Sequence, residues 1–196
     1  MSWVVQAALH SKYINEVIIA TDSDEIAKVA LLEGHQKIKI YKRSEASATD
    51  KATSESVLIE YLQTCGYGSN DLVYLIQATN PFLKSSDLDA AFDLLKAKKA
   101  DSLLSVVKSK RFFWDEQAQS VNYDYKHRPR RQEFAGDYME NGSFYISNAA
   151  ELIKTQNRLH GRIIFYEMEN ISSYEIDEPQ DWAVAEALLN FRESNP

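Results

Sequence analysis

The sequence predicts an α/β protein built on a mostly parallel, doubly wound sheet with helices on both faces. Two observations predict this class. Over the first ~110 residues, short runs of β-branched and aromatic residues alternate with segments of helical periodicity, which is typical of βαβ units. The run Leu72–Ile76 is apolar throughout, as expected of an interior strand that is covered on both faces.

The predicted elements follow one another in a regular order. Strands are predicted over residues 17–20, 38–41, 72–76, 103–107, 143–147, 163–168 and 174–177. Side chains that can cap a helix precede three helical segments, at Asp22–Asp24, at Thr53 or Ser54, and at Ser86 or Asp87. A fourth helix is expected from Pro179, because proline is tolerated in the first turn of a helix.

Residues 108–142 interrupt this alternation, since they are rich in charged and aromatic side chains and have few clean periods. We interpret them as an excursion from the sheet within a single domain that spans residues 1–196.

Composition and charge exclude several classes of protein. The 196 residues carry 22 basic and 29 acidic side chains, a net charge of -7, which makes a general nucleic-acid-binding surface improbable. No apolar run approaches the ~18 residues of a membrane helix, and Met1-Ser2-Trp3 does not begin a secretory signal. The single cysteine, Cys65, cannot form an internal disulfide. We therefore expect a cytoplasmic protein without nucleic-acid or membrane partners.

Two polar clusters directly follow predicted strands, where ligands of open α/β sheets bind. The first is Thr21–Asp24, which is equally well explained as the cap of the next helix. The second is Gln77–Pro81, whose amide and hydroxyl groups can hydrogen-bond a polar ligand. An ordinary Asn-Pro turn is the alternative for this second cluster.

A basic block, Lys126–Gln132, stands out in this acidic protein. Guanidinium groups bind carboxylate or phosphate through paired hydrogen bonds, so the block is a candidate anion site. A solvated loop and a nuclear-import-like basic run are the two alternatives.

An acidic cluster, Glu175 and Asp177 followed by Asp181, precedes the last predicted helix. On a strand, residues two apart project to the same face, so the first two carboxylates can converge on one cation. Carboxylate oxygens suit Mg²⁺, which binds one or two of them together with substrate phosphates. The alternative is a pair of exposed acids, with Asp177 or Glu178 capping the helix.

Several of these segments together resemble one enzyme family. Arg128–Glu133, with the sequence RPRRQE, and Tyr138–Tyr145, with the sequence YMENGSFY, closely resemble the R-P-R-R-Q and E-N-G-x-F-Y blocks of the N-acylneuraminate cytidylyltransferases. Val17–Ala27 looks like the family segment S-T-D-S-x-x-I-A. Gln77–Phe82 is similar to its Q-P-T-S-P-L loop, and Glu175–Asp177 stands where the family has D-I-D. The order and spacing fit over nearly the whole chain.

The resemblance implies a Rossmann-like sheet of the nucleotide-diphospho-sugar transferase type and a specific reaction. Members of the family join CTP to a nine-carbon 2-keto sugar acid and release pyrophosphate. The sugar's anomeric hydroxyl attacks the α-phosphorus in line, so the protein mainly positions the reactants and neutralises their charge. The resemblance also implies a homodimer in which residues 108–142 form an arm that reaches into the neighbouring protomer's site.

The resemblance further assigns roles to individual residues. Arg43 and Ser54 match positions that contact the cytidine, and Gln77 matches one that contacts the sugar. Arg128, Arg131 and Gln132 would hold the sugar carboxylate or its glycerol-like tail, and Phe144 and Tyr145 would line the acyl pocket. Glu175 and Asp177 would hold Mg²⁺. The candidates for catalysis are Asp177, Arg131 and Gln77.

One part of the family pattern has no counterpart in this sequence. The family begins with a strand and a glycine-rich A-R-x-G-S-K loop, whereas Met1–Leu9 resembles the helix downstream of that loop. We therefore expect Val17–Ala20 either to pair with Leu72–Ile76 or to leave a gap beside it. We also expect synthesis of CMP-sugar at least ~100-fold below that of a complete member. A non-catalytic, acidic-sugar-binding or regulatory fragment is one alternative, and a cytidylyltransferase for Kdo, legionaminic or pseudaminic acid is another.

Overall fold

A computed structural model describes residues 2–45, 47 and 52–194. Among these residues it contains six α-helices and six strands. The helices are α1 Ser2–His10, α2 Asp24–Leu31, α3 Ser54–Cys65, α4 Ser85–Lys98, α5 Ala149–Thr155 and α6 Pro179–Ser194. The strands are β1 Val17–Thr21, β2 Ile38–Lys42, β3 Leu72–Ile76, β4 Ser102–Ser109, β5 Asp137–Asn148 and β6 Ile163–Glu167.

Local side-chain chemistry explains where the helices begin. Ser23 caps α2 and Thr53 caps α3, each by accepting a hydrogen bond from a backbone N–H in the first turn. For α4 the Asp87 carboxylate accepts a hydrogen bond from the backbone N–H of Lys84, at 3.0 Å. Pro179 is the first residue of α6. The predicted starts of these four helices are therefore confirmed to within a residue or two.

The strands form two hydrogen-bonded sheets. Strands β1 and β2 pair in parallel, and a four-stranded sheet has the order β3-β5-β4-β6. Strand β5 is antiparallel to both β3 and β4, so these two run in the same direction, and β4 is parallel to β6. The mostly parallel α/β class is confirmed, with β5 as the exception. Strand β5 is reversed because the chain leaves β4 at Ser109 and returns opposite it at Asp137.

Two strand predictions need correction. Leu72–Ile76 is an edge strand of the four-stranded sheet and is half-buried, because β1 pairs with β2 and makes no ladder with β3 among the described residues. Of the two expected outcomes for Val17–Ala20, the gap is the one observed. Residues 174–177 do not form a strand. Their backbone contact with the loop after β3 is a single hydrogen bond, from Ile176 N to Thr79 O at 2.8 Å.

Helices and loops cover both faces of the four-stranded sheet. The main core lies on one face, where α1 and α4 pack against strand residues that include Phe144 and Ile146. On the other face, α3 and α5 pack together, and a smaller cluster surrounds Tyr145. Successive residues of a strand point to opposite faces, so β5 contributes to the cores on both sides.

Residues 110–136, which we call the arm, lie between the paired residues Ser109 and Asp137. The arm packs largely on its own aromatic side chains, with Phe112 4.4 Å from Tyr123 and 4.9 Å from Phe134, centroid to centroid. Trp114 remains about half exposed. The excursion from the sheet is shorter than the predicted range 108–142, because residues 108–109 and 137–142 belong to the paired strands β4 and β5. Its role in dimerisation stays a prediction. Across the described residues, no helix has the length and apolar content needed to cross a membrane.

Candidate functional site

The loop after β3 is held in place by a buried asparagine. Asn80 is fully buried, and its amide Nδ2 donates to the backbone oxygen of Ser172 at 2.8 Å. Its Oδ1 accepts a hydrogen bond from the backbone N–H of Phe82. Of the polar residues in the loop, Asn80 is therefore structural, which leaves the side chains of Gln77 and Thr79 to face a ligand.

Gly142 is the point at which separate sequence motifs meet. It has a φ of +60°, and a β-carbon at this position would lie 2.6 Å from Gln77 Oε1 and 2.9 Å from Glu175 Oε1. Only glycine allows both the left-handed backbone and this close approach. The E-N-G motif thus creates the space into which Gln77 and Glu175 converge, and the structure brings these two predicted site residues together.

The asparagine of the same motif fixes the position of Gly142. Asn141 is buried, and its Nδ2 donates to Ser172 O at 3.1 Å. Its Oδ1 accepts from Ser105 Oγ at 2.7 Å, and Ser105 Oγ in turn accepts from the backbone N–H of Phe144. Buried polar groups that are satisfied in this way hold a single backbone arrangement. This network makes the convergence at Gly142 a fixed feature of the fold.

Glu175 and Asp177 form an interacting carboxylate pair. Burial raises the pKa of Glu175, and the nearby negative charge of Asp177 raises it further, while a hydrogen bond from Thr79 opposes these effects. Asp177 is exposed. The described residues contain no group of three or more His, Cys, Asp or Glu side chains placed to bind a metal. An oxygen-only pair fits Mg²⁺, which needs only one or two carboxylates when phosphates supply other ligands.

Asp181 has a different role from the other two acids. Its Oδ2 accepts hydrogen bonds from the backbone N–H groups of Asp177, at 3.0 Å, and Glu178, at 2.8 Å. Asp181, the third residue of α6, therefore fixes the backbone that enters the helix, as the acid of a capping box does. Asp177 is instead the acid whose charge acts on Glu175.

A second charged group, which the sequence did not reveal, lies around Tyr145. The Arg158 guanidinium lies 4.5 Å from the centre of the Tyr145 ring, and its Nε donates to Glu55 in the first turn of α3. The Tyr145 hydroxyl donates to Glu140. Burial raises the pKa of Tyr145, as do Glu140 and, to a smaller extent, Glu175. Arg158 and Glu55 are 103 residues apart, so no local pattern could have indicated the pair.

Arg43 and Ser54 lie at the ends of their elements. Arg43 follows β2, and its guanidinium binds Asp22, which follows the adjacent parallel strand β1. This hydrogen bond lowers the pKa of Asp22. Arg43 Nε is buried and has no hydrogen-bond partner among the described residues. Ser54 is the first residue of α3, directly after the cap Thr53.

Glu60 anchors the segment that carries Arg43 to helix α3. Its carboxylate accepts hydrogen bonds from the Tyr41 hydroxyl at 2.6 Å and from the Ser44 hydroxyl and backbone N–H. The hydrogen bond from Tyr41, followed by those from Ser44 and Ser47, lowers the pKa of Glu60 to about 2. The orientation of the segment around Arg43 is therefore tied to an ionised side chain.

The remaining predicted residues are separate from this site within one chain. Arg128 stacks on Phe112 of the arm at 4.5 Å, and Arg131 and Gln132 are exposed on the arm. In the described part of the chain, no hydrogen bond or ion pair joins these three to Gln77, Glu175 or Asp177. Within one chain, the basic block is therefore a solvated loop.

Phe144 also lies away from the site. It has no exposed surface and packs in the main core against Tyr166, at a centroid distance of 5.9 Å. Tyr145, its neighbour on β5, points to the opposite face. We therefore remove Phe144 from the residues proposed to line a substrate pocket, because a strand cannot present two successive side chains to one face.

A cavity of about 250 Å³ lies near the carboxylate pair. Its lining includes Trp3 and Trp182, whose ring centroids are 6.3 Å apart, and Thr79, whose hydroxyl donates to Glu175. The lining is largely apolar, and neither Glu175 nor Asp177 belongs to it.

Comparison with known proteins identifies relatives of the whole chain. N-acylneuraminate cytidylyltransferase A of Danio rerio is 36% identical over 193 residues, covering 95% of this chain and 44% of that protein. The N-acylneuraminate cytidylyltransferase of Oncorhynchus mykiss is 34% identical, with coverage of 95% and 43%. That of Escherichia coli O18:K1:H7 is 26% identical, with coverage of 94% and 44%. The chain therefore spans less than half the length of these relatives.

Two solved structures share the fold of this chain. A 4-diphosphocytidyl-2C-methyl-D-erythritol synthase from Anaerococcus prevotii superposes with a TM-score of 0.69 at 16% identity, covering 96% of this chain and 84% of that one. A CMP:2-keto-3-deoxy-manno-octonic acid synthetase in complex with CTP gives 0.64 at 14% identity, covering 97% and 87%. At these identities the likeness establishes the fold alone.

The family model described as "Cytidylyltransferase" matches residues 1–195, which is nearly the entire chain. The match includes the loop after β3, the E-N-G motif and the carboxylate pair, which the fold brings together around Gly142. The chain belongs to the cytidylyltransferase family.

Proposed function

We propose that the protein transfers the cytidylyl group of CTP to a sialic-acid-type 2-keto sugar acid, giving a CMP-sugar and pyrophosphate. The observation that carries this proposal is the convergence of Gln77 and Glu175 on Gly142. It unites the three motifs that resemble the N-acylneuraminate cytidylyltransferases in a single site. The curated relatives support the same activity through their names.

The proposed reaction is an in-line displacement at phosphorus. The oxygen of the anomeric hydroxyl forms a new bond to the α-phosphorus of CTP. The bond from the α-phosphorus to the oxygen that links it to the β-phosphorus breaks, so pyrophosphate leaves with that oxygen, and the hydroxyl proton is released to water. In such reactions the protein contributes position and electrostatic stabilisation more than covalent chemistry. Gln77 would orient the sugar through its amide. Arg43, which follows β2, and Ser54, the first residue of α3, would contact the cytidine.

Glu175 and Asp177 are the residues that we propose to hold Mg²⁺. Glu175 is half-buried and is repelled by the charge of Asp177, and both effects favour a cation beside it. When bound, Mg²⁺ would neutralise part of the triphosphate charge. We propose Asp177, together with Gln77, as the residues of this site whose loss most reduces turnover.

We also propose that the active form is a homodimer. Within one chain the arm leaves aromatic side chains exposed, including Trp114 at 50% and Tyr125 at 52%. It also keeps Arg128, Arg131 and Gln132 away from Gln77. Pairing around a two-fold axis would cover the aromatic rings and bring these basic groups to the sugar of the neighbouring protomer, with Arg131 as a catalytic contributor.

N-acetylneuraminate is the sugar acid that the curated relatives favour. Tyr145, whose ring lies on the same face of β5 as the charged group around Arg158, is 3% exposed, so we propose that it supports the acyl pocket from behind. A cytoplasmic location is proposed from the exposed, unpaired thiol of Cys65, which suits a reducing compartment.

Pyrophosphate release by the 196-residue chain tests the proposal, with CTP, Mg²⁺ and N-acetylneuraminate as reactants. We expect release that requires all three, that is abolished in Asp177→Ala, and that is retained in the matched variant Glu178→Gln, which changes a neighbouring exposed acid. Calorimetric binding of the sugar acid without turnover would instead establish a non-catalytic sugar-binding protein. Turnover with Kdo, legionaminic or pseudaminic acid alone would overturn the choice of sugar.

A further inference from the structure

Arg158 connects helix α3 with strand β5. It lies in the loop between α5 and β6. Its Nε donates a hydrogen bond of 2.5 Å to Glu55 Oε1, in the first turn of α3. Its guanidinium also lies over the ring of Tyr145 on β5, 4.5 Å from the centroid. One cation therefore contacts the turn that carries Ser54 and the buried ring proposed to support the sugar's acyl pocket.

This contact is protected from solvent and stays charged. The side chain of Arg158 is 21% exposed and that of Glu55 is 18% exposed. Burial, the largest single effect, would raise the pKa of Glu55. The hydrogen bond and charge of Arg158, together with hydrogen bonds from the Glu55 backbone and Thr53, outweigh it, so the pKa is lowered. Screening by water and salt is weak for such a pair, so the geometry persists at ordinary pH and ionic strength. In each of the other ion pairs among the described residues, both side chains are more than one quarter exposed.

The Arg158 guanidinium covers one face of the Tyr145 ring. The residue is only 3% exposed, with Leu104, Val106 and Leu75 around it and the guanidinium over the ring. A planar guanidinium can stack on a ring and at the same time donate in its own plane to a carboxylate. A lysine ammonium could keep the ion pair with Glu55 but could not stack in the same way. The two contacts of Arg158 can therefore be removed separately.

We propose that Arg158 is a positioning residue that sets the first turn of α3 against Tyr145, and so sets the nucleotide side of the site relative to its sugar side. This inference rests on the function proposed above. In this proposal, the hydrogen bond from Arg158 to Glu55 positions the nucleotide side of the site, and the stack of the guanidinium on Tyr145 positions the sugar side. Neither role requires Arg158 to touch a substrate.

Three variants separate the two contacts. Arg158→Lys keeps the charge near Glu55 and loses the stack on Tyr145. Glu55→Gln weakens the ion pair and keeps the stack. Arg158→Gln removes both contacts. Lys154→Gln is the matched control, because it removes a cation from an exposed ion pair with Glu151 on the adjacent helix α5.

Calorimetric titration with CTP and Mg²⁺, and separately with N-acetylneuraminate, measures each side of the site. We expect Arg158→Lys to weaken sugar binding about 5-fold and CTP binding less than about 2-fold. Glu55→Gln should do the reverse, weakening CTP binding about 5-fold. Arg158→Gln should weaken both, and Lys154→Gln neither. Equal weakening of both ligands in all three variants, in proportion to their loss of thermal stability, would overturn the proposal.

Nuclear magnetic resonance of ¹³C-tyrosine-labelled protein tests the inference independently of the proposed function. If the unsubstituted chain binds neither ligand, the proposed function is wrong. The ring resonance of Tyr145 still reports the surroundings of the ring in that case. The resonance is assigned by its loss in Tyr145→Phe. We expect it to shift in Arg158→Lys and Arg158→Gln and to stay in place in Glu55→Gln. An unchanged resonance in both arginine variants would show that Arg158 does not position the ring.

Discussion

The surroundings of Gly142 and the arm carry the two strongest family motifs, yet they are built in opposite ways. Around Gly142, Asn141 and Asn80 are buried and fully engaged in hydrogen bonds, and they hold the backbone in one arrangement. On the arm, Arg131 and Gln132 are exposed, and the rings pack on one another while remaining half in solvent. The first motif is complete within one chain, whereas the side chains of the second have no hydrogen bond or ion pair with Gln77, Glu175 or Asp177 in the described part of the chain.

This difference teaches that a motif's specificity in sequence does not reveal how its residues act. The E-N-G residues act through backbone conformation and close packing, so they should respond sharply to small substitutions. The R-P-R-R-Q residues present charged side chains on a loop, so they should respond mainly when a partner surface is present. Four predictions test this contrast.

The largest effect is expected at Gly142. Gly142→Ala places a β-carbon against Gln77 and Glu175 at a φ of +60°, and displacement of these side chains should lower turnover by about 100-fold or more. Gly34→Ala is the matched control, because its φ is +62° but nothing lies within 4 Å of the added carbon. Both variants should lose about 1–2 kcal/mol of unfolding free energy from backbone strain. Equal turnover in the two variants, measured by pyrophosphate release, would contradict the role of the close approach.

The second largest effect is a loss of stability, compared between an asparagine beside Gly142 and an asparagine of the arm. Asn141→Ala removes buried hydrogen bonds to Ser172 O and Ser105 Oγ and should cost about 2–3 kcal/mol of unfolding free energy. Asn122→Ala removes exposed hydrogen bonds within the arm, including one to Arg111 O at 3.0 Å, and should cost less than about 1 kcal/mol. Urea denaturation of both variants makes the comparison. A larger loss at Asn122 would mean that the arm is the more tightly built region.

A smaller effect is expected from the exposed rings of the arm. Trp114→Ser should weaken dimerisation at least about 10-fold and change the unfolding free energy of the chain by less than about 1 kcal/mol. Tyr67→Ser is the control, because Tyr67 is 40% exposed outside the arm. Analytical ultracentrifugation measures the association. A protein that stays monomeric at tens of micromolar before any substitution would remove the arm from the dimer proposal.

The smallest effect is a pH dependence near Arg43. Hydrogen bonds from Tyr41 and Ser44 lower the pKa of Glu60 from 4.5 to about 2. A lowered pKa in the folded state stabilises the protein above the unfolded value, and this contribution is lost as the pH falls from 4.5 towards 2. Glu60→Gln should therefore have a lower Tm than the unsubstituted chain at neutral pH, with the gap narrowing over that acidic range. A gap that is constant with pH would show that the ionised form of Glu60 is not required.

Local features of the sequence were sufficient to predict much of the fold. The caps at Ser23 and Thr53 and the start of α6 at Pro179 depend on groups within three or four residues, so they could be predicted directly. The prediction of β3 as an interior strand failed for the opposite reason. The position of a strand in a sheet depends on which other strands reach it, and its own apolar composition does not contain that information.

The sequence by itself determined the α/β class, the capped helices and the motif that places a glycine at residue 142, because periodicity, capping and glycine conformation are local properties. Only the tertiary structure decided that Phe144 faces the core while Tyr145 faces Arg158, and that Glu55 pairs with a cation 103 residues away. It also decided that Asp181 fixes the backbone that enters α6 and that the charge of Asp177 acts on Glu175. These outcomes depend on which distant segments pack together, and packing selects among alternatives that are equal in local sequence.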